Sequence, residues 1–155
     1  MNTDSRRPAD PVSWDEAREI VSIVLLSAAV LVVLAPMIRF LADGSPYGLA
    51  DTISTLFQNV GPVSGLLLVG SAVLVVTVPP QDVVPLLRRT IELVSVVIAA
   101  IGFLAVLVEV TSVTAPQPAG FFIRLSTMAA RSLPGTMLAG LAAWLARNVV
   151  PFPSR

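Results

Sequence analysis

Long apolar runs, each bounded by charges, prolines or glycines, set the pattern along the chain. The first is the clearest: residues 20–38 hold no charge over 19 positions. At about 1.5 Å per helical residue such a run comes close to the roughly 30 Å hydrocarbon core of a bilayer. Just before it, Ser13 and Glu16 have the spacing of a capping box, in which each side chain accepts from the other's backbone N–H. A helix is therefore predicted to begin near Trp14, whose indole suits the headgroup level, with a first span over 18–40. The run is longer than the roughly 7–15 residues of a secretory signal's apolar region, and no small-x-small cleavage site follows, so it reads as a retained helix.

Arg39, Asp43 and the Asp-Gly-Ser-Pro sequence at 43–46 mark a first loop. Beyond it Leu49, Ile53, Leu56 and Phe57 recur at helical spacing, with Asp51, Thr52, Thr55 and Gln58 turned elsewhere. That pattern predicts a short amphipathic helix on the membrane surface. Gly61-Pro62 then opens, and Pro79-Pro80 closes, a second span over 62–78. Pro85 suits the first turn of a third helix, 86–110, whose apolar run at 93–107 is bracketed by Glu92 and Glu109. A loop at 111–120 carries Pro116 and Pro118. After it a second amphipathic stretch, 121–131, sets Phe121, Phe122, Leu125 and Met128 against Arg124, Thr127 and Arg131. Ser132 and Pro134 read as the cap and first turn of a fourth span, 133–150. The ends, 1–12 and 151–155, read as short cytoplasmic tails, the first of them disordered.

Composition sharpens this pattern into a class. With 55% hydrophobic residues, 13% charged and a mean hydropathy of +0.84, too little polar surface remains to cover a soluble core. At roughly 20 residues per crossing, 155 residues are used up by four crossings and their loops. The expectation is an all-α integral membrane protein: a four-helix transmembrane bundle forming one domain over 13–150, with two amphipathic segments on its outer face.

Positive flanks resist translocation, so arginine positions predict orientation. With the amino terminus inside, Arg6, Arg7, Arg18, Arg88, Arg89, Arg147 and Arg155 lie in the cytoplasm, and Arg39, Arg124 and Arg131 lie outside. Both termini are thus expected to be cytoplasmic. All ten basic residues are arginine, which together with abundant Ala and Val points to a GC-rich bacterial genome and hence to a bacterial plasma membrane.

Several functions are excluded by residue type. The net charge is zero and no segment is strongly basic, so no nucleic-acid partner is expected. The chain has no Cys, His or Lys. It therefore cannot supply a disulfide, an axial haem histidine, a usual zinc site, a Schiff-base lysine, a P-loop lysine or a Ser-His-Asp arrangement. Neither catalysis nor a cofactor or metal is expected. In length and crossing number the chain resembles the small multidrug transporters, but they carry a membrane-embedded glutamate in the first helix, and 20–38 contains no acid.

The remaining candidates are charges and small residues. Arg124 and Arg131, seven apart, share a helix face; they either turn toward water and lipid phosphate or enter the bundle on one long helix running from Gly120. Glu92 lies one turn from Arg88, and Glu109 is placed to meet Arg39 or Arg124. Gly135, Ala139 and Ala143 on the fourth helix, and Ser95, Ala99 and Gly102 on the third, form stripes that permit close packing within one bundle or between copies. Ser64 and Ser71 are placed to hydrogen-bond across helices. Two functions fit: an accessory or scaffold subunit that packs against other membrane proteins or itself in the lipid bilayer, and a small oligomeric transporter or channel using Arg124, Arg131 and Glu109. They differ in whether charges face a polar cavity.

Overall fold

The computed structural model describes residues 13–43, 49–77, 84–112 and 118–148. They form four α-helices: α1 (Trp14–Asp43), α2 (Leu49–Thr77), α3 (Val84–Ser112) and α4 (Pro118–Asn148). No strand occurs among them. The terminal tails at 1–12 and 151–155, the Gly-Ser-Pro turn after Asp43 and the Pro79-Pro80 pair lie outside the described residues.

The start of α1 is the capping box expected from sequence. The Ser13 N–H donates to Glu16 Oε2 at 3.1 Å, and the Glu16 N–H donates to Ser13 Oγ at 3.2 Å. The Ala17 N–H then makes the first turn's bond to the Ser13 carbonyl at 3.0 Å. Two of the helix's orphan donors are satisfied in this way.

Two sequence expectations are corrected. Residues 49–58 are not a separate surface helix: α2 runs unbroken from Leu49 through Gly61-Pro62 to Thr77. Nor do 121–131 stand apart, because α4 is continuous from Pro118, which opens it, through Pro134 in its interior. Of the two arrangements open for that stretch, the long helix is the one observed. In both places proline marks no boundary. At Pro62, inside the apolar Phe57–Thr77 stretch, the proline removes one intrahelical bond, but a chain that left the helix inside hydrocarbon there would strand several backbone groups with no water to bond them. Packing adds to this at Phe57, only 2% exposed, which holds the first turns of α2 in the bundle core.

Three helices are long and apolar enough to cross a membrane: Trp14–Arg39, Phe57–Thr77 and Val84–Val108, with mean hydropathies of 2.7, 2.1 and 2.7. On α4, the stretch between Arg131 and Arg147 is rich in Ala and Gly, and the helix does not reach that apolarity. The packing has the inside-out character of a membrane protein. Large apolar side chains such as Val24, Leu31, Leu66, Leu93, Phe103 and Met137 stand exposed, whereas Ala29, Ala72, Ala105, Ala139 and Ala142 are fully buried together with serines. A soluble protein does not leave so much contiguous apolar surface uncovered, and small interior residues let membrane helices approach closely.

The helices do not form a closed square. α2, α3 and α4 pack on one another, α1 packs on α2 and barely reaches α3, and α1 and α4 make no contact among the described residues. Cross-contacts set the directions. Ser22 meets Ser71 and Ala29 meets Ser64, so α1 and α2 are antiparallel. Gly61 and Gly65 lie against Gly135 and Leu138, so α2 and α4 are parallel. Arg88 reaches Ala146, and Gly102 lies beside Thr136, making α3 antiparallel to α4.

Candidate functional site: helix seams, end charges and an apolar groove

The α1–α2 seam is built on serines. Ser22 Oγ donates to the Ser71 carbonyl at 3.1 Å, Ser71 Oγ donates to the Ser22 carbonyl at 2.9 Å, and the two hydroxyl oxygens lie 2.8 Å apart. One seven-residue step along each helix, Ser64 Oγ donates to the Ala29 carbonyl at 3.1 Å. All three serines and Ala29 are completely buried. A repeat of seven keeps the same face toward the partner, and the short hydroxyl side chains bring one backbone within reach of the other. Ser64 and Ser71 were placed for cross-helix bonds by sequence; their partners, Ser22 and the Ala29 carbonyl, were not identified there.

The α2–α4 seam is built on glycines. A side chain begun at Gly135 would stand 2.6 Å from the Gly61 carbonyl carbon and 2.9 Å from its Cα, and one at Gly65 would stand 2.6 Å from Leu138 Cβ. Gly61 and Gly65 are the small-xxx-small pair that allows such an approach; their spacing is legible in the sequence but is overshadowed by Pro62. Gly102 on α3 faces Phe57 and Thr136 with the same lack of room for a side chain.

The stripes named from sequence are placed as follows. Gly135 and Ala139 are buried on α4, where the buried row continues through Ala142 and Ala146, and Ala143 is only half-buried. Ser95 and Gly102 are buried on α3, and Ala99, half-buried, packs against the core. The Ser95 hydroxyl is enclosed without a hydrogen-bond partner.

Charges lie both toward the helix ends and along the helices, Arg131 standing midway along α4. Arg39 is exposed near the end of α1, Glu92 is half-buried on α3, and Arg131 and Arg147 are exposed on α4. Glu109 and Arg124 lie on α3 and α4, and their side chains are outside the described residues. Two arginines that sequence did not single out as ligands of the backbone act across the bundle. The Arg18 guanidinium donates to the Thr77 carbonyl at 3.4 Å, and Arg88 Nε donates to the Ala146 carbonyl at 3.1 Å. Thr77 ends α2 and Ala146 lies in the last turn of α4, so each arginine supplies a donor and a positive charge where a helix leaves carbonyls unbonded and its dipole is negative. Arg18 also lies 3.9 Å from Asp15, an exposed pair worth little to stability.

The gap between α1 and α3 is a groove of about 310 Å³ whose floor and walls are apolar side chains, among them Val30, Leu34, Leu93 and Val97. It shares Val33, Met37 and Ile101 with a narrower pocket of about 70 Å³ that is closed off by Phe57 and Val60 of α2. Among the described residues, no group of three or more acidic side chains is gathered as a metal site would require. In comparisons with protein families, curated proteins and solved structures, the chain matches none of them.

Proposed function

We propose that this chain is a noncatalytic membrane protein with four crossings and both termini in the cytoplasm of a bacterium, acting as an accessory or scaffold subunit that packs against other membrane proteins. The observation that carries the reading is where polarity is found. Both described cavities have apolar linings, the α1–α2 serines are bonded to backbone, and of the described arginines Arg18, Arg39, Arg88, Arg89 and Arg147 lie toward helix ends while Arg131, midway along α4, is exposed and lines neither cavity. A transport path needs polar groups facing a cavity along its length. Packing needs only complementary apolar surface, which this bundle presents on every helix.

The fourth crossing rests on α4 lying between α2 and α3, with Gly135 and Ala139 at the depth of the α2 glycines. Its charge-free stretch, 132–146, is 15 residues, or about 22 Å at the helical rise. Arg131 and Arg147, exposed at its two ends, can extend along the helix to headgroups and close the shortfall. The inside position of the termini follows from the arginine asymmetry.

Gentle detergent extraction of the tagged protein from its native host, followed by intact-mass measurement of whatever co-purifies, tests the reading. Stoichiometric foreign membrane subunits are expected. A pure homo-oligomer would overturn the accessory role and favour the transporter reading, with Arg124, Arg131 and Glu109 as the residues to vary.

A further inference from the structure

The α1–α3 groove has a depth and a shape that the partner-packing role does not use. On α3 its lining runs from Leu93 to Ile101 and continues to Leu104 in the narrower pocket. Eleven residue steps correspond to about 17 Å of helix. That is close to one leaflet, half of the roughly 30 Å hydrocarbon core. The groove begins near the middle of the Val84–Val108 span and ends toward its carboxyl end, at the level where α1 approaches Arg39. Its far end narrows over Phe57, whose ring lies over Gly61 of its own helix and against Gly102 of α3.

We propose that this groove binds a single acyl chain of a phospholipid from the leaflet on the Arg39 side. The dimensions choose between a chain and a helix. A membrane-spanning partner helix is about 10 Å across and needs a seam the length of the bilayer. The groove is one leaflet long, tapers to a pocket of about 70 Å³, and is lined by nine residues, against the roughly 20–30 per side of a standard protein interface. A methylene chain needs no hydrogen bonds and fits walls made only of Val, Leu, Ile and Met. Because surrounding lipid is equally apolar, the preference for the groove comes from dispersion contacts on several sides rather than from the hydrophobic effect. A modest retention is therefore expected.

The test uses the full chain in phosphatidylcholine vesicles doped with a phosphatidylcholine that carries a photoreactive diazirine in one acyl chain. Adducts are mapped by peptide mass spectrometry. Labelling of 30–37 and 93–101 should exceed that of the lipid-exposed α4 face at Met137, Leu141 and Trp144 by about threefold, the scale of a modest packing preference. Val97→Phe, at a half-exposed position on the groove wall, should bring that ratio to about one while α4 labelling stays unchanged, which reports an intact fold. Equal labelling of all exposed faces in the unaltered chain would overturn the proposal. So would a disulfide-linked dimer of Val97→Cys accompanied by protection of the groove from label, since a second copy would then be the occupant.

Discussion

The α1–α2 and α2–α4 seams share one helix and solve the same problem in different ways. In lipid, two apolar helices gain little from leaving their solvent, so association depends on hydrogen bonds and close packing. Between α1 and α2 the chain uses hydroxyl-to-carbonyl bonds at Ser22, Ser71 and Ser64. Between α2 and α4 it uses the absence of side chains at Gly61, Gly65 and Gly135. The first seam depends on donors that can be removed one at a time. The second depends on a distance, and nothing at Gly135 can yield, because the facing atoms are backbone. The difference also explains the asymmetry of the bundle: α4 is locked between α2 and α3, while α1 is held on one flank and leaves a groove on the other.

The sharpest way to break the comparison is at Gly135. Gly135→Val should destabilise the bundle by about 3 kcal/mol or prevent its assembly, the upper end of overpacking costs, measured by denaturant titration in mixed micelles. A change under about 1 kcal/mol would mean that α4 is not seated as described. The serine seam should respond less. Ser22→Ala and Ser71→Ala should each cost about 1 kcal/mol, and their double-mutant cycle should show a coupling of about 0.5 kcal/mol or more, since membrane hydrogen bonds of this kind are modest. Purely additive effects would indicate that the two hydroxyls do not meet.

Ser95→Ala should have the opposite sign, neutral to stabilising by up to about 1 kcal/mol, because it removes an enclosed hydroxyl that has no partner. Smallest of all is Gly140→Ala. A side chain at Gly140 would meet nothing within 4 Å, so the change should be neutral or gain about 0.5 kcal/mol from helix propensity. Its contrast with Gly135, five residues away on the same helix, separates packing from propensity.

What was legible in the sequence was what depends on near neighbours. Ser13 and Glu16 specify a capping box by spacing alone, and the apolar runs specify helices because nothing else satisfies a backbone in lipid. Ser64 and Ser71 stood out as polar positions in an apolar run, but choosing Ser22 and the Ala29 carbonyl as partners requires the register between two helices, which no local pattern fixes. Gly61-Pro62 misled because the rule that proline ends helices holds where water can bond the released carbonyls, and Ser132-x-Pro134 has the spacing of a helix start although α4 runs through it. The stripe at Gly135 and Ala139 turned toward Ala142 rather than Ala143, because a straight helix advances 3.6 residues per turn and a strict repeat of four drifts off its face. Arg18 and Arg88 were read for their charge and topology, although both also donate to carbonyls at the end of a neighbouring helix.

Whether α4 crosses the membrane decides the topology on which the proposed role is built, and the absence of native cysteine makes it directly measurable. Single-cysteine variants Ser5→Cys, Ser45→Cys, Gln81→Cys, Thr114→Cys and Ser154→Cys would be exposed in spheroplasts to a membrane-impermeant thiol reagent, before and after permeabilisation. The account predicts labelling of Ser45→Cys and Thr114→Cys from outside, and of the other three only after permeabilisation. Labelling of Ser154→Cys from outside, with Ser5→Cys protected, would contradict it and leave a protein of three crossings with α4 held outside the bilayer.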